Sequence, residues 1–195
     1  MFENLQKSIS RFIQVEPSEF DFFTSCMSIR SLKKKEILLR ADQNCRSIYF
    51  INKGCLRYYY LVDGEEKTAQ FFFENGWFTD LDSFLGGMPA ENFVDALEDT
   101  ELLGIEKNDL MKLYEEIPKF ERLGRILAEN AYLGIRQKTK TLTTLDAEQR
   151  YLQLMKERPK IFERIPQHYI ASYLNIKPQS LSRIRRQISS KKSKS

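Results

Sequence analysis

The period at which apolar residues recur divides the chain into three stretches. In the first 30 residues apolar side chains follow helical spacing, at Phe2, Leu5, Ile9, Phe12 and Ile13. A second helix is predicted at Ser18–Ser25, with Ser18 as its N-cap. From Lys33 the period falls to two, the spacing of strands with one buried face. Past Lys107 the period becomes helical again and stays so.

The middle stretch contains six short segments that read as strands. They are Glu36–Arg40, Ser47–Ile51, Cys55–Val62, Lys67–Phe73, Phe93–Leu97 and Glu101–Ile105. The turn at residues 52–54 and the pair Asp63-Gly64 separate neighbouring segments, as in β-hairpins. Residues 77–90 show no regular period. Short strands at this spacing favour an antiparallel, jelly-roll-like β-roll over a parallel sheet.

The last stretch predicts several helices, so the expected fold class is α+β. One short helix is capped by Asn108-Asp109 and extends to Tyr114, and Asp146 caps another at Ala147–Glu157. Between them a long helix begins at Pro118. Its apolar residues fall within about 60° of one line on a helical projection. They are Phe120, Leu123, Gly124, Leu127, Ala131, Gly134, Ile135, Leu142 and Leu145.

This apolar line predicts that the long helix pairs with a second copy of itself. Ile126 and Leu133 form a separate apolar face, and two faces imply two partners, the β-roll and another chain. The glycines at positions 124 and 134 would allow two helices to approach closely. The predicted dimer interface is Phe120, Leu123, Leu127, Ala131 and Gly134. Lys138 interrupts the line, which suggests that the pairing loosens there. An ordinary core helix packed within one chain is the alternative.

The net charge of +4 conceals an uneven distribution along the chain. Residues 1–115 contain 13 Lys and Arg against 20 Asp and Glu, a balance of −7. Residues 116–195 contain 18 against 7, a balance of +11, and residues 166–195 hold seven Lys or Arg and no acid. This asymmetry indicates an acidic module joined to a basic one that faces nucleic acid. A solvated basic tail is the alternative.

Residues 167–186, QHYIASYLNIKPQSLSRIRR, match the pattern of a helix-turn-helix. The apolar residues that would hold its two helices together are Ile170, Leu174, Ile176, Leu181 and Ile184. Ala171 is the small residue at their crossing, and Asn175 tolerates the left-handed backbone of the turn. The predicted DNA contacts are Lys177, Pro178, Gln179, Ser180, Arg183, Arg185 and Arg186. Gln179 and Arg183 are expected to read bases, with a phosphate contact as the alternative for Arg183.

Three motifs resemble the Crp–Fnr family of bacterial transcription regulators. Ile48–Tyr59, IYFINKGCLRYY, resembles a hairpin of the family's β-roll. Residues Trp77–Leu81 with Ser83-Phe84 resemble the start of its phosphate-binding segment, and Ile165–Ile188 resembles its helix-turn-helix. The resemblance covers about residues 20–188. It implies a β-roll of the cyclic nucleotide-binding type as sensor, a dimerisation helix and a DNA-binding domain.

The division implied by this resemblance is 1–117 for the sensor, 118–144 for the dimerisation helix and 145–195 for the DNA-binding domain. After Ile188 only seven polar or basic residues remain. A full β-hairpin wing is therefore not expected after the second helix, and the terminal SSKKSKS segment is predicted to be disordered.

The family's cyclic nucleotide site is altered in this sequence. In cyclic-AMP-binding members a Gly-Glu pair holds the ribose and an Arg-Ser pair holds the phosphate. The matching positions here resemble Thr79-Asp80 and Ala90-Glu91. Asp80 retains the ability to accept a ribose hydroxyl, but Ala90 is uncharged and Glu91 repels a phosphate. The predicted effector pocket is Thr79, Asp80, Leu81, Ala90 and Glu91, and cyclic AMP is not expected to bind there in the usual way.

No cofactor or metal is predicted. Cys26, Cys45 and Cys55 are too scattered for iron–sulfur ligation. The single histidine, His168, lies outside the β-roll, which argues against a haem or a cupin-type metal site. No motif for a nucleophile or a phosphate-binding loop is present either, so an enzyme is not expected.

The predicted function is a homodimeric transcription regulator that reads a palindromic operator. The expected partners are double-stranded DNA and a second copy of the chain, while RNA polymerase and an unidentified small-molecule effector stay open. The absence of an 18-residue apolar run and of a signal-peptide pattern favours a cytoplasmic protein without a membrane span. The alternative is a β-roll that binds a small ligand or a partner protein without specific DNA binding.

Overall fold

The fold is that of a computed structural model, which describes residues 2–192. Its helices are α1 (Glu3–Ile9), α2 (Pro17–Ser25), α3 (Leu81–Gly86), α4 (Lys107–Glu116), α5 (Lys119–Thr144), α6 (Ala147–Glu157), α7 (Lys160–Arg164), α8 (Gln167–Tyr173) and α9 (Pro178–Lys192). Its strands are β1 (Met27–Leu32), β2 (Ile37–Leu39), β3 (Ser47–Lys53), β4 (Cys55–Val62), β5 (Glu65–Phe73), β6 (Trp77–Phe78), β7 (Phe93–Ala96) and β8 (Thr100–Glu106). The predicted α+β class is confirmed.

The strands form two four-stranded sheets, ordered β1-β8-β3-β6 and β2-β7-β4-β5. The pairs β1–β8, β3–β8, β3–β6, β2–β7 and β4–β7 are antiparallel. The predicted β-roll is therefore confirmed, as two sheets rather than a closed barrel. β4 has the predicted bounds, because its alternation is regular and a turn stands at each end.

Several elements differ from the sequence prediction. β1 lies in the stretch that the sequence predicts to be helical. The sequence does not mark it as a strand, because four of its six residues are exposed and no alternation is present. It forms by pairing with β8, with Met27 opposite Ile105. β6 and α3 lie in the stretch that shows no regular period. α2 begins one residue before Ser18 and is capped instead by Glu16, whose backbone N–H donates to Glu19 at 2.8 Å.

Two hydrophobic clusters form the core of this part of the chain. One joins the N-terminal helices, α4 and α5 to the outer face of a sheet, and it includes Leu5, Phe23, Phe50, Leu103 and Phe120. The other lies between the sheets and includes Leu32, Leu38, Ile51, Val94 and Leu102. Neighbouring residues of β8 point into different clusters, because successive side chains of a strand face opposite sides.

The first turns of α5 pack within the chain. Phe120 is 1% exposed and stacks on Phe23 with ring centroids 4.8 Å apart, and Leu123 is 4% exposed in the same cluster. A Cβ added to Gly124 would lie 2.1 Å from Tyr114 Oη, so this glycine makes room for a tyrosine. The prediction that Phe120 and Leu123 contact a second copy is corrected, because the chain's own core covers both.

The chain divides into two compact units. Residues up to 59 together with 70–131 form the first, and residues 60–69 together with those from 132 onward form the second. These limits do not coincide with the predicted boundaries after residues 117 and 144. Within the described residues no helix is both long and apolar enough to cross a membrane.

Candidate functional site

Helices α8 and α9 form the helix-turn-helix that the sequence predicts. Asn175 adopts a φ of 53°, the left-handed conformation expected at the turn. The Ile176 N–H donates to the Ala171 carbonyl at 3.0 Å across this turn. Ala171 is fully buried, so a larger side chain would not fit at the crossing. Pro178 is the first residue of α9, where its missing N–H costs nothing.

One side of α9 is buried and the other is exposed. Leu181 and Ile184, which are 2% and 8% exposed, anchor the helix in the second unit. Of the predicted DNA contacts, Lys177, Pro178, Gln179, Arg183, Arg185 and Arg186 are exposed and Ser180 is half-buried. Gln179, Arg183 and Arg186 lie on the side of the helix opposite its buried residues. The helix-turn-helix therefore presents the N-terminal end of α9 to solvent, as insertion into a groove of DNA requires.

Arg183 is loosely positioned by its own helix. Its Nη2 donates to Ser180 Oγ, one turn earlier, at 3.4 Å. Within residues 2–190 no carboxylate forms an ion pair with Arg183, Arg185 or Arg186. These cations are therefore available for phosphates or base edges.

The described part of the segment after residue 188 is helical, whereas the sequence predicted disorder. Ser189 and Ser190 continue α9, which extends to Lys192. The prediction of disorder is therefore corrected up to residue 192, and residues 193–195 lie outside the described part. No strand follows α9 within that part, which agrees with the expected lack of a full wing.

The tip of the β4–β5 hairpin belongs to the same compact unit as α8. The Thr68 N–H donates to Ser172 Oγ at 2.9 Å, and Ser172 Oγ in turn donates to the Glu66 carbonyl at 3.2 Å. Ser172 lies in α8, directly after Ala171 of the helix crossing. The hairpin tip thus contacts the first helix of the helix-turn-helix.

Lys138 of α5 joins the same contact. Its ammonium donates to the Ala69 carbonyl and lies 4.0 Å from the centroid of the Tyr173 ring. The Tyr173 hydroxyl also accepts from Arg158 at 3.5 Å. Lys138 therefore faces its own unit, which explains why a lysine occurs in the apolar line of α5. Burial, and secondarily the charge of Arg158, lower the pKa of Lys138 to about 8.

This lowered pKa predicts a pH dependence of stability. Since the ordinary value is 10.5, the unfolded chain binds more protons at Lys138 than the folded chain between about pH 8 and 10.5. The contribution of Lys138 to the free energy of unfolding should therefore rise with pH over that interval. Urea unfolding of the native chain and of Lys138→Met checks this, with exposed Lys140→Met as control. Parallel pH profiles for the native chain and Lys138→Met would contradict the lowered pKa.

Asp80, at the family's ribose-binding position, is used within the fold. It is 3% exposed and caps α3, accepting from the Ser83 N–H at 2.8 Å. Its other oxygen accepts from the Tyr58 hydroxyl at 3.1 Å and from the Asn92 side-chain amide. The expectation that Asp80 accepts a ribose hydroxyl is corrected, because the carboxylate is buried and bonded to three donors of the chain itself.

The other residues of the predicted pocket differ in exposure and in their bonding partners. Ala90 is 3% exposed, and its N–H and carbonyl bond the backbone of residues 43 and 42, both at 2.9 Å. The Thr79 hydroxyl donates to the Ser47 carbonyl at 3.0 Å. Leu81 is half-buried and Glu91 is exposed. A loop therefore packs at the position where cyclic-AMP-binding relatives carry the phosphate-binding arginine.

Some of these contacts were readable in the sequence and others were not. Asp80 and Ser83 have the spacing of an N-cap and its N3 partner, which would have predicted α3. No local signal marks Asn92 or Tyr58. The same holds for Arg57, which is 1% exposed and bonds the two carboxylate oxygens of Asp95 at 2.9 and 2.8 Å. A cation paired in this way is not free for an anionic ligand.

The comparisons with known proteins agree with this fold. A family model described as "cyclic nucleotide-binding domain" matches residues 29–117. FixK2 from Bradyrhizobium japonicum is similar with a TM-score of 0.74 and 17% identity over 85% of each chain. CLP from Xanthomonas campestris, a c-di-GMP responsive global regulator, has a TM-score of 0.70 and 15% identity over 90% of this chain and 93% of its own.

A protein from Eubacterium rectale, described as a transcriptional regulator of the crp/fnr family, has a TM-score of 0.70 and 17% identity over 91% of this chain and 85% of its own. No sequence among the curated proteins matches the chain. Residues 29–117 are similar to the cyclic nucleotide-binding domain family. The chain that contains them has the fold of the Crp–Fnr transcription regulators, which confirms the resemblance.

Proposed function

We propose that the chain is a DNA-binding transcription regulator that acts as a homodimer on a palindromic operator. The observation that carries this proposal is the outer face of α9. Gln179 and Arg183 are exposed there, and within residues 2–190 no carboxylate forms an ion pair with the arginines of this helix. Residues 166–195 contain no acid that would repel a phosphate backbone.

Each exposed residue has a chemical role in this proposal. Gln179 is suited to bond adenine through its amide, and Arg183 to bond guanine through two N–H groups. Ser180 steers Arg183 toward the N-terminal end of α9, which enters the major groove. Arg185 and Arg186 contact phosphates and fix the position of the helix without reading sequence.

The proposed dimer interface lies on an exposed face of α5. Ala128, Tyr132, Ile135, Thr139 and Leu142 recur at alternating spacings of four and three residues. That is the spacing of the contact positions in a two-stranded coiled coil. Tyr132 and Ile135 are 60% and 61% exposed although both are large and apolar. A second copy of α5 would cover them.

This interface is rotated by about 100° from the predicted one, since each residue of a helix turns by that angle. Leu127, Ala131 and Gly134 each precede a member of the new face by one residue. Leu127 packs partly against the chain's own core, which continues the line begun by Phe120 and Leu123. The first half of the predicted apolar line therefore packs against the chain's own core. The proposed dimer interface lies on the neighbouring face of α5.

Cyclic AMP is not proposed as the effector, because Asp80 is buried and bonded within the fold and Glu91 is an acid. RNA polymerase as a partner stays a prediction from the resemblance, and a cytoplasmic location stays a prediction from the sequence.

The proposal is tested by an electrophoretic mobility shift of the full chain on duplex DNA at several salt concentrations. A dimer with about six to ten phosphate contacts should lose roughly 10³-fold in affinity between about 50 and 200 mM salt. Arg185→Ala combined with Arg186→Ala should flatten this dependence, whereas exposed Arg11→Ala should leave it unchanged. Failure to bind at low salt, or the same salt dependence in all three proteins, would refute DNA binding through α9.

A further inference from the structure

A cavity of about 680 Å³ opens in the first unit, and none of the five residues of the predicted effector pocket lines it. Its volume is within the range of small-molecule sites, roughly 300–1,000 Å³. Its walls come from β1, β2, β3, β6 and the loop between β2 and β3. The lining residues that matter here are Arg30, Leu39, Asp42, Arg46, Tyr49 and Phe78.

Arg30 enters the cavity from β1. It lies on the same face of the strand as Leu32, which is 2% exposed in the cluster between the sheets. Within the described residues its guanidinium has no hydrogen-bond or ion-pair partner. Arg30 is exposed, and a charge on an edge strand also opposes pairing between edges. That role needs no second arginine in the same cavity lining.

Arg46 supplies that second arginine from the loop between β2 and β3. Its guanidinium too has no hydrogen-bond or ion-pair partner within the described residues. The loop is held in place, because the Asp42 N–H donates to the Ala90 carbonyl at 2.9 Å and the Cys45 N–H to Ser83 Oγ at 2.8 Å. The backbone that carries Arg46 is thus positioned before any ligand arrives, which reduces the cost of binding.

Aromatic rings complete the cavity. The rings of Tyr49 and Phe78 are nearly parallel, with an interplanar angle of 12° and centroids 6.4 Å apart. A Cβ added to Gly104, which pairs with Tyr49 across the strands, would lie 2.8 Å from the tyrosine ring. The glycine therefore lets this ring lie across β8. Leu39 adds an apolar wall.

We propose that this cavity binds a small organic anion with a flat or apolar body. The exposed guanidiniums of Arg30 and Arg46 bind the carboxylate or phosphate group through charge-assisted hydrogen bonds, and the half-buried Tyr49 ring contacts the body. The lining contains these two cations against one carboxylate, Asp42, so its net charge favours an anion. The proposal adds a ligand site to the proposed regulator. The binding site does not depend on the proposed regulatory function. Only the role of its ligand as an effector rests on that function.

Isothermal titration calorimetry of the full chain without DNA tests the site. The probe is phenyl phosphate at constant ionic strength, and phenol is its neutral counterpart. We expect saturable binding of phenyl phosphate and none of phenol. Arg30→Ala and Arg46→Ala should each weaken binding at least about tenfold. Arg40→Ala, an exposed arginine outside the cavity, should change it less than about twofold.

Absence of binding up to about 10 mM phenyl phosphate would overturn the proposal, since the binding free energy would then be weaker than about 3 kcal/mol. Equal affinity in the native chain and both variants would overturn it too, as would equal binding of phenol. Thermal unfolding of each variant verifies that it folds.

A mobility shift with Arg30→Ala in the absence of phenyl phosphate separates the two proposals. If Arg30→Ala loses phenyl phosphate binding but keeps DNA binding, the cavity site is supported and the proposed role of α9 is unaffected. If the native chain binds phenyl phosphate but no DNA, the proposed role of α9 is refuted and the cavity site stands.

Discussion

Replacing Ile135 with glutamate should convert the dimer into monomers at concentrations where the native chain is paired. The side chain is 61% exposed in the single chain, so the substitution removes few internal contacts. In the proposed coiled coil it would place two unpaired carboxylates in an apolar interface, which costs several kcal/mol. We expect the dimer dissociation constant to rise at least about 100-fold, equivalent to about 3 kcal/mol.

The matched control is Leu133→Glu. Leu133 is also 61% exposed and lies on the same helix, two residues away and on nearly the opposite side. Sedimentation equilibrium should give a dimer for the native chain and Leu133→Glu and a monomer for Ile135→Glu. Equal association of the two variants would contradict the proposed interface. Ile135→Glu should also weaken binding to a palindrome, because each monomer then engages one half-site.

Replacing Arg183 with alanine should weaken binding to the specific operator by about 1–3 kcal/mol and relax the choice of base at one position of each half-site. The reason is the loss of two hydrogen bonds to one base edge, together with the loss of a charge near the groove. Ser180→Ala should cost less, because it removes only the 3.4 Å contact that orients Arg183.

Arg186→Ala is the comparison for this experiment. Its exposed guanidinium is assigned to a phosphate, so its loss should weaken all sequences about equally and reduce the salt slope by about one. Titration of both variants against the operator and against single-base substitutions separates the two roles. If Arg183→Ala also weakens every duplex equally, Arg183 contacts a phosphate and does not read a base.

The elements that local pattern specifies agree with the structure. β4 alternates between two turns and has its predicted bounds, and the helix-turn-helix follows from a buried Ala171 and a left-handed Asn175. β1 was not predictable, because its residues are mostly exposed and only its pairing with β8 makes it a strand. Long-range partners leave no periodic signal in a short segment.

The face of α5 illustrates a different limit of prediction. Helical projection identifies the apolar residues but not the surface that covers each of them. Phe120 and Leu123 turn out to pack on Phe23 and its neighbours, which leaves Tyr132 and Ile135 exposed further along. Amphipathicity therefore specifies that α5 has partners. Only the fold shows which residues remain for a second chain.

The effector pocket was the least predictable part. The motif predicted Asp80 as a pocket residue, yet its carboxylate is bonded by Tyr58 and Asn92, which lie 22 and 12 residues away. The cavity with Arg30 and Arg46 joins residues of separate elements, and no sequence spacing marks it.

The central claim, that paired α9 helices read a two-fold symmetric site, is tested most directly by selecting bound duplexes from a random-sequence pool with the full chain. The account predicts enrichment of one inverted repeat whose half-site centres lie about 10–10.5 base pairs, or one helical turn, apart. Failure to enrich any sequence, or enrichment of a single asymmetric motif, would contradict it.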